Sequence, residues 1–172
     1  GTLDQALVLE EFALTLLDRF DQGVLAEAAA CADRGATLEL RASGGSASAR
    51  RWRFLCLQAT IAEARTTDGG AEYWPAVESA LVSGPSPDAR QPDQLLGAYA
   101  SLVRWHLDHG RTEAATQWLQ KACAMIDSNP KEHAKRAVET GWLAARMAAA
   151  RSDHAGCARA AERILAARST WY

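Results

Sequence analysis

The sequence predicts an all-α protein, a solenoid of about four antiparallel helical hairpins. Three observations predict it. Asp-x-Gly turns recur at Asp21-Gln22-Gly23, Asp68-Gly69-Gly70 and Asp108-His109-Gly110, at intervals of 47 and 40 residues, and a turn at Arg151-Ser152-Asp153 continues the series. Each turn separates alanine-rich stretches whose apolar residues recur every three or four positions, and Gly ends a helix where the chain needs a left-handed residue. Runs of Val, Ile, Thr and aromatic residues that would build strands are absent. A lone hairpin cannot bury its apolar face, so neighbouring hairpins must stack.

The first hairpin is expected over 3–20 and 24–40, and a Gly/Ser/Ala linker over 42–48 follows it. The second is expected over 49–67 and 72–82. Ser83-Gly84-Pro85-Ser86-Pro87-Asp88 then breaks helix and reads as a surface loop. The third hairpin occupies 93–108 and 112–127, where Leu95, Tyr99, Leu102 and His106 form one stripe and Ala115, Trp118, Leu119, Ala122, Met125 and Ile126 the other. The fourth covers 131–151 and 154–168. Asn129 as cap, Pro130 at the first helical position and Glu132 reaching back would start it.

At 172 residues the chain is long enough for a single helical domain. A net charge of -2 and a pI near 6.1 lack the basic footprint of general nucleic-acid binding. No apolar run approaches the roughly 20 residues of a membrane span, and no basic-then-apolar leader is present. A cytoplasmic location is therefore the default expectation. Gly1-Thr2 opens the chain without an initiator Met, as a chain excised from a longer protein would. Cys31, Cys56, Cys123 and Cys157 stand singly on apolar stripes and read as free thiols rather than disulfides or a zinc site.

The third hairpin resembles a tetratricopeptide repeat. With Gly110 as the turn glycine, Tyr99 falls at the aromatic position of the first helix and Leu102 at its leucine. Ala115 falls at the small crossing residue, and Leu119 and Ala122 at the apolar positions that follow. Val103 stands where the family prefers Gly, His106 where it prefers Tyr, and Pro130 arrives about three residues late. In the fourth hairpin Cys157 takes the small crossing position and Ile164 a later core position. The repeat interval exceeds the family's usual ~34 residues. Longer, irregular repeats of this kind resemble the repeat domains of large bacterial transcriptional activators of the maltose-regulator type. The resemblance implies a right-handed, tetratricopeptide-like solenoid in which the first helix of each pair lines a concave groove, and in that family the repeats bind an inducer or a regulatory protein.

Carried over on that register, Arg104 and Arg146 occupy the same groove-facing position of consecutive hairpins, with Trp142 one turn before Arg146. Two guanidiniums beside an aromatic floor suit an acidic peptide or a carboxylate-bearing tail. The competing reading is that both arginines solvate an exposed face or pair with acids of the neighbouring helix. Arg50-Arg51-Trp52-Arg53 opens the third helix against the macrodipole; basic residues interleaved with Trp can contact phosphates or an acidic partner, and an intramolecular acid is the blander reading. His106 and His109 form a His-x-x-His segment, read as core histidine chemistry ahead of a metal site. Glu10 and Glu11 point in different directions and make no acid/base pair. Trp105 and Trp52 are expected half exposed and Trp118 in the core. Trp171-Tyr172 is unusual for a free end.

No nucleophile elbow, phosphate-binding loop or His-Glu-x-x-His is present. The expectation is a non-catalytic interaction module, regulatory or scaffolding, with no cofactor, binding a protein or peptide in its groove. A small-molecule effector sensor of a bacterial transcriptional regulator is the alternative. An enzyme with a helical active site ranks last.

Overall fold

The computed structural model describes residues 1–17, 22–44, 48–66, 70–84 and 92–169. Eight helices are present among them: α1 (Thr2–Leu17), α2 (Gln22–Ala42), α3 (Arg51–Arg65), α4 (Trp74–Ser83), α5 (Pro92–Asp108), α6 (Thr112–Ser128), α7 (Ala134–Ala150) and α8 (His154–Ser169). The described residues contain no strand, so the chain is all-α there, and most helix ends fall within a few residues of the periodicity reading. Parts of the first two Asp-x-Gly turns, of the 42–48 linker and of the loop after Ser83, together with Trp171-Tyr172, lie outside the described residues. The helices gather into two compact units, α1–α4 and α5–α8.

In the first unit α1 packs on α2 and α3, α2 on α3, and α3 on α4. Ala13 and Leu16 of α1, Ala28 and Ala32 of α2, and Leu57 and Ile61 of α3 make one apolar cluster, with Cys31 against its edge. Alanines at the crossings let the helix backbones approach and leave the larger side chains to fill the layer between them. Gly35 extends this principle. A Cβ there would lie 2.6 Å from the Phe54 ring, so its absence lets Phe54 bury against α2. Trp74 is fully buried at the start of α4, and its indole N–H donates to Glu63 Oε1 at 2.6 Å.

The arginines that open α3 do have acidic partners within the chain. Arg53 Nε donates to Glu10 Oε1 at 2.8 Å, and its NH2 group lies 2.7 Å from the same oxygen. Both side chains are buried. Glu39 is also buried, accepts a hydrogen bond from Ser48, and faces Arg51 and Arg50. The Ser48 hydroxyl in turn accepts the Arg50 amide at 3.1 Å. Trp52, expected half exposed, is buried, and its indole N–H donates to the Ala49 carbonyl at 2.9 Å.

In the second unit α5 packs on α6 and α7, α6 on α7, and α7 on α8. Tyr99 and Trp118 stack with centroids 5.4 Å apart, and Leu102, Val103 and Ala115 are fully buried. Leu96, Ala122 and Ile126 close a second cluster against Tyr99, Met125 and Ala137. Ile164 of α8 is buried beside Gly141 of α7, where a Cβ would lie 2.5 Å from it.

The turns after α5 and after α7 share one geometry. After α5 the Arg111 amide bonds to the His106 carbonyl at 2.8 Å and the Gly110 amide to Leu107 at 3.1 Å, with Gly110 at φ +69°. After α7 the Asp153 amide bonds to Ala148 at 2.9 Å and the Ser152 amide to Ala149 at 3.0 Å, with Ser152 at φ +56°. Both satisfy the last carbonyls of a helix through a left-handed residue. Asp153 also caps α8, accepting the Gly156 amide at 2.8 Å. A side chain in the left-handed region costs about 1 kcal/mol or more, so Ser152→Gly is expected to raise stability by up to about 1 kcal/mol. A urea midpoint that falls in that variant would contradict the shared-turn account.

The start of α7 differs from the expected capping box. Asn129 ends α6, its side-chain amide faces the Glu132 carboxylate, and α7 begins at Ala134 after a turn closed by the His133 amide on the Asn129 carbonyl. The carboxylate attracts the Asn side chain, so neither side chain is left to cap backbone amides. The cap residue His133 makes no side-chain cap bond.

Candidate functional site

The exposed face shared by α5 and α7 holds the three residues singled out from the sequence. Trp142 is 64% exposed, a large apolar surface to leave in water, and Arg146 sits one turn further along α7. Arg104 is exposed on α5. Arg146 NH2 lies 2.5 Å from Asp108 Oδ1, and Asp108 is one turn beyond Arg104 on α5. Trp142 and Arg104 each stand four residues before a member of that ion pair. The Asp108 pairing is thus the competing reading realised for Arg146. Both side chains are about half exposed, and such a pair contributes only about 0–1 kcal/mol, little enough for an incoming carboxylate to displace Asp108.

The other end of the same face is tied more firmly. Arg136 of α7 grips Asp93 of α5 with two bonds of 3.1 Å and Glu139 with one of 2.9 Å. Gly97 makes room for this guanidinium, since a Cβ there would lie 3.2 Å from NH2. The face therefore has one end where Arg136 is held by two carboxylates, and another where the exposed Trp142 stands near Arg104 and the Arg146–Asp108 pair.

The histidine segment is built around Trp105. Trp105 is buried, not half exposed, because α5 turns its indole inward beside His106. The His106 and His109 rings lie 4.6 Å and 5.2 Å from it, and the Arg111 guanidinium covers it at 4.9 Å. His106 is buried, and His109 Nδ1 is 2.8 Å from the Trp105 carbonyl oxygen. Among the described residues no group of three or more His, Cys, Asp or Glu is placed to hold a metal ion. The four cysteines are half-buried free thiols. Burial pushes the Cys31 and Cys123 thiols up, which keeps them protonated at neutral pH.

Sequence reasoning missed two constellations. One is the buried Glu10–Arg53 pair, whose members lie 43 residues apart. The other is Arg163 of α8, whose NH2 donates to Asp127 Oδ1 at 2.6 Å and whose NH1 donates to Cys123 Sγ at 3.4 Å. The glycine inside α7, Gly141, signals the close approach of α8 at Ile164, but nothing local signals the Arg163 contacts. No known protein family, curated protein or solved structure matches this chain.

Proposed function

We propose that the protein is a non-catalytic, tetratricopeptide-like binding module, regulatory or scaffolding, that receives an acidic protein segment on the α5–α7 face. The reading extends to a right-handed solenoid of four hairpins, resembling the repeat domains of maltose-regulator-type activators. Within each unit the first helices of successive pairs pack together, α1 on α3 and α5 on α7, which is the contact that such stacking needs. The observation that carries the function is Trp142, 64% exposed on the same end of the face as Arg104 and Arg146. Exposed Trp beside Arg has the composition of a binding hot spot, and a planar guanidinium suits carboxylates.

The test is affinity capture from a cell extract by the native chain and by folded variants. A partner held by the native chain should be lost on Arg104→Glu with Arg146→Glu. Trp142→Ala should weaken it by about 2 kcal/mol, roughly thirtyfold, as truncation of a hot-spot Trp does. Asp108→Asn should act in the opposite direction, because it releases Arg146 from its internal carboxylate. Equal retention by native chain and all three variants would remove this face from the function.

A further inference from the structure

A second site lies on the opposite side of α7. At 3.6 residues per turn, Ala137, Gly141 and Ala144 fall roughly half a turn of the helix from Trp142 and Arg146. They form one wall of a cavity of about 230 Å³ between α6, α7 and α8, completed by Ile126 on α6 and Ala166 on α8. The small side chains of α7 and α8 leave this space open. Its volume exceeds the roughly 150 Å³ that admits benzene in an apolar protein cavity.

The polar lining of the cavity includes Thr140, Asp127, Cys123 and Arg163. Arg163 NH2 is held by Asp127 at 2.6 Å, which fixes the guanidinium plane. NH1 donates to the Cys123 sulfur at 3.4 Å. A thiol is a weak acceptor, and burial keeps this one protonated. The Arg163 side chain is about half exposed, so an anionic oxygen at the mouth of the cavity can take an NH1 donor in exchange for solvent or the neutral thiol, in a charge-assisted bond.

We infer that this cavity binds a small apolar carboxylate, with the ring or branched chain against the alanines and the carboxylate replacing Cys123 as the acceptor of Arg163 NH1. Asp127 remains on NH2 and orients the fork. An uncharged ligand of the same shape gains the apolar contact but forfeits the charge-assisted bond. The site is independent of the α5–α7 face, so loss of function at one leaves the other intact.

The probe is benzoate, with benzamide as its uncharged isostere, titrated into the full chain and followed by amide chemical shifts. Saturable shifts in α6, α7 and α8 are expected, with benzoate about tenfold tighter than benzamide. Arg163→Gln should abolish that preference while leaving weak benzamide binding. Ala144→Leu should exclude both ligands; if it fails to fold, Ala166→Leu fills the same cavity from an exposed position. Trp142→Ala should change neither affinity. Benzoate and benzamide binding alike in the native chain, a preference surviving Arg163→Gln, or no saturable shift at millimolar ligand would each overturn the proposal.

Discussion

Replacing Glu10 with alanine is expected to destabilise the first unit by about 3–5 kcal/mol, the effect of breaking a buried ion pair from one side. Arg53 would then be left with its guanidinium buried, without the carboxylate oxygen it now reaches at 2.7 and 2.8 Å. Guanidinium cannot shed its proton at any ordinary pH. The reverse truncation, Arg53→Ala, should cost less, because a carboxyl can neutralise itself. Burial already holds the Glu10 carboxyl above its usual range, although Arg53 pulls the other way. Glu10 Oε2 is buried with no hydrogen-bond partner among the described residues. A raised acid binds its proton more tightly folded than unfolded, so this group's contribution to stability falls as pH rises through the folded value. It recovers as pH drops towards the ordinary carboxyl range.

The Arg53→Ala deficit should therefore shrink on acidification from neutral pH, and the Glu10→Ala deficit should widen, because only the native chain regains the Glu10 contribution. Replacing both residues with Leu and Met should come out near neutral, because two desolvation costs vanish along with the attraction. Urea unfolding of the three variants at two pH values decides it. Equal, pH-independent losses for the two single variants would show that packing, not charge, sets the cost.

Trp118→Ala is expected to cost the second unit about 3–5 kcal/mol, the range for deleting a buried aromatic. Trp118 is 3% exposed, stacks on Tyr99 at 5.4 Å, and is covered by the Lys121 ammonium at 3.9 Å. The cavity left behind would open between α5 and α6, whose Leu102 and Ala115 are fully buried. Trp118→Phe should recover a large part of the loss by keeping a ring against Tyr99. Far-UV circular dichroism in urea is the appropriate probe, since the substitution removes a fluorophore. A loss below about 1 kcal/mol for the alanine variant would mean that the α5–α6 contact collapses around the gap. Protein stability is commonly only about 5–15 kcal/mol, so either truncation could consume a large share of it.

The all-α class, the number of helices among the described residues and most of their ends were legible in the sequence, because each depends on local rules. Apolar periodicity near 3.6 placed α5 and α6 residue by residue. Gly110 and the Ser152 turn ended their helices through left-handed residues, which need no distant partner. Spacing alone put the buried Ala115 and the half-buried Tyr99, which packs against the core, on their apolar stripes. That something must offset the basic cluster at the start of α3 was also readable, since basic residues at a helix start oppose the macrodipole, and an intramolecular acid is one of the readings this leaves open.

Which acid it would be was not readable. Glu10 and Arg53 carry no local signal of each other, and only the packing of α1 against α3 brings them together. The burial of Trp105 and Trp52 was likewise decided by neighbouring side chains, because a position beside a stripe can rotate either way. At Asn129 the Glu132 carboxylate drew the side chain away from the cap that local rules assigned to it. The pairing of Arg146 with Asp108, and of Arg163 with Asp127 and Cys123, required helix–helix register across 36 to 40 residues. Sequence determined what each helix is and which face is apolar, since those follow from backbone hydrogen bonding and solvent. Tertiary structure alone decided which charges meet and where space is left, because both are set by distances between helices that no local spacing encodes.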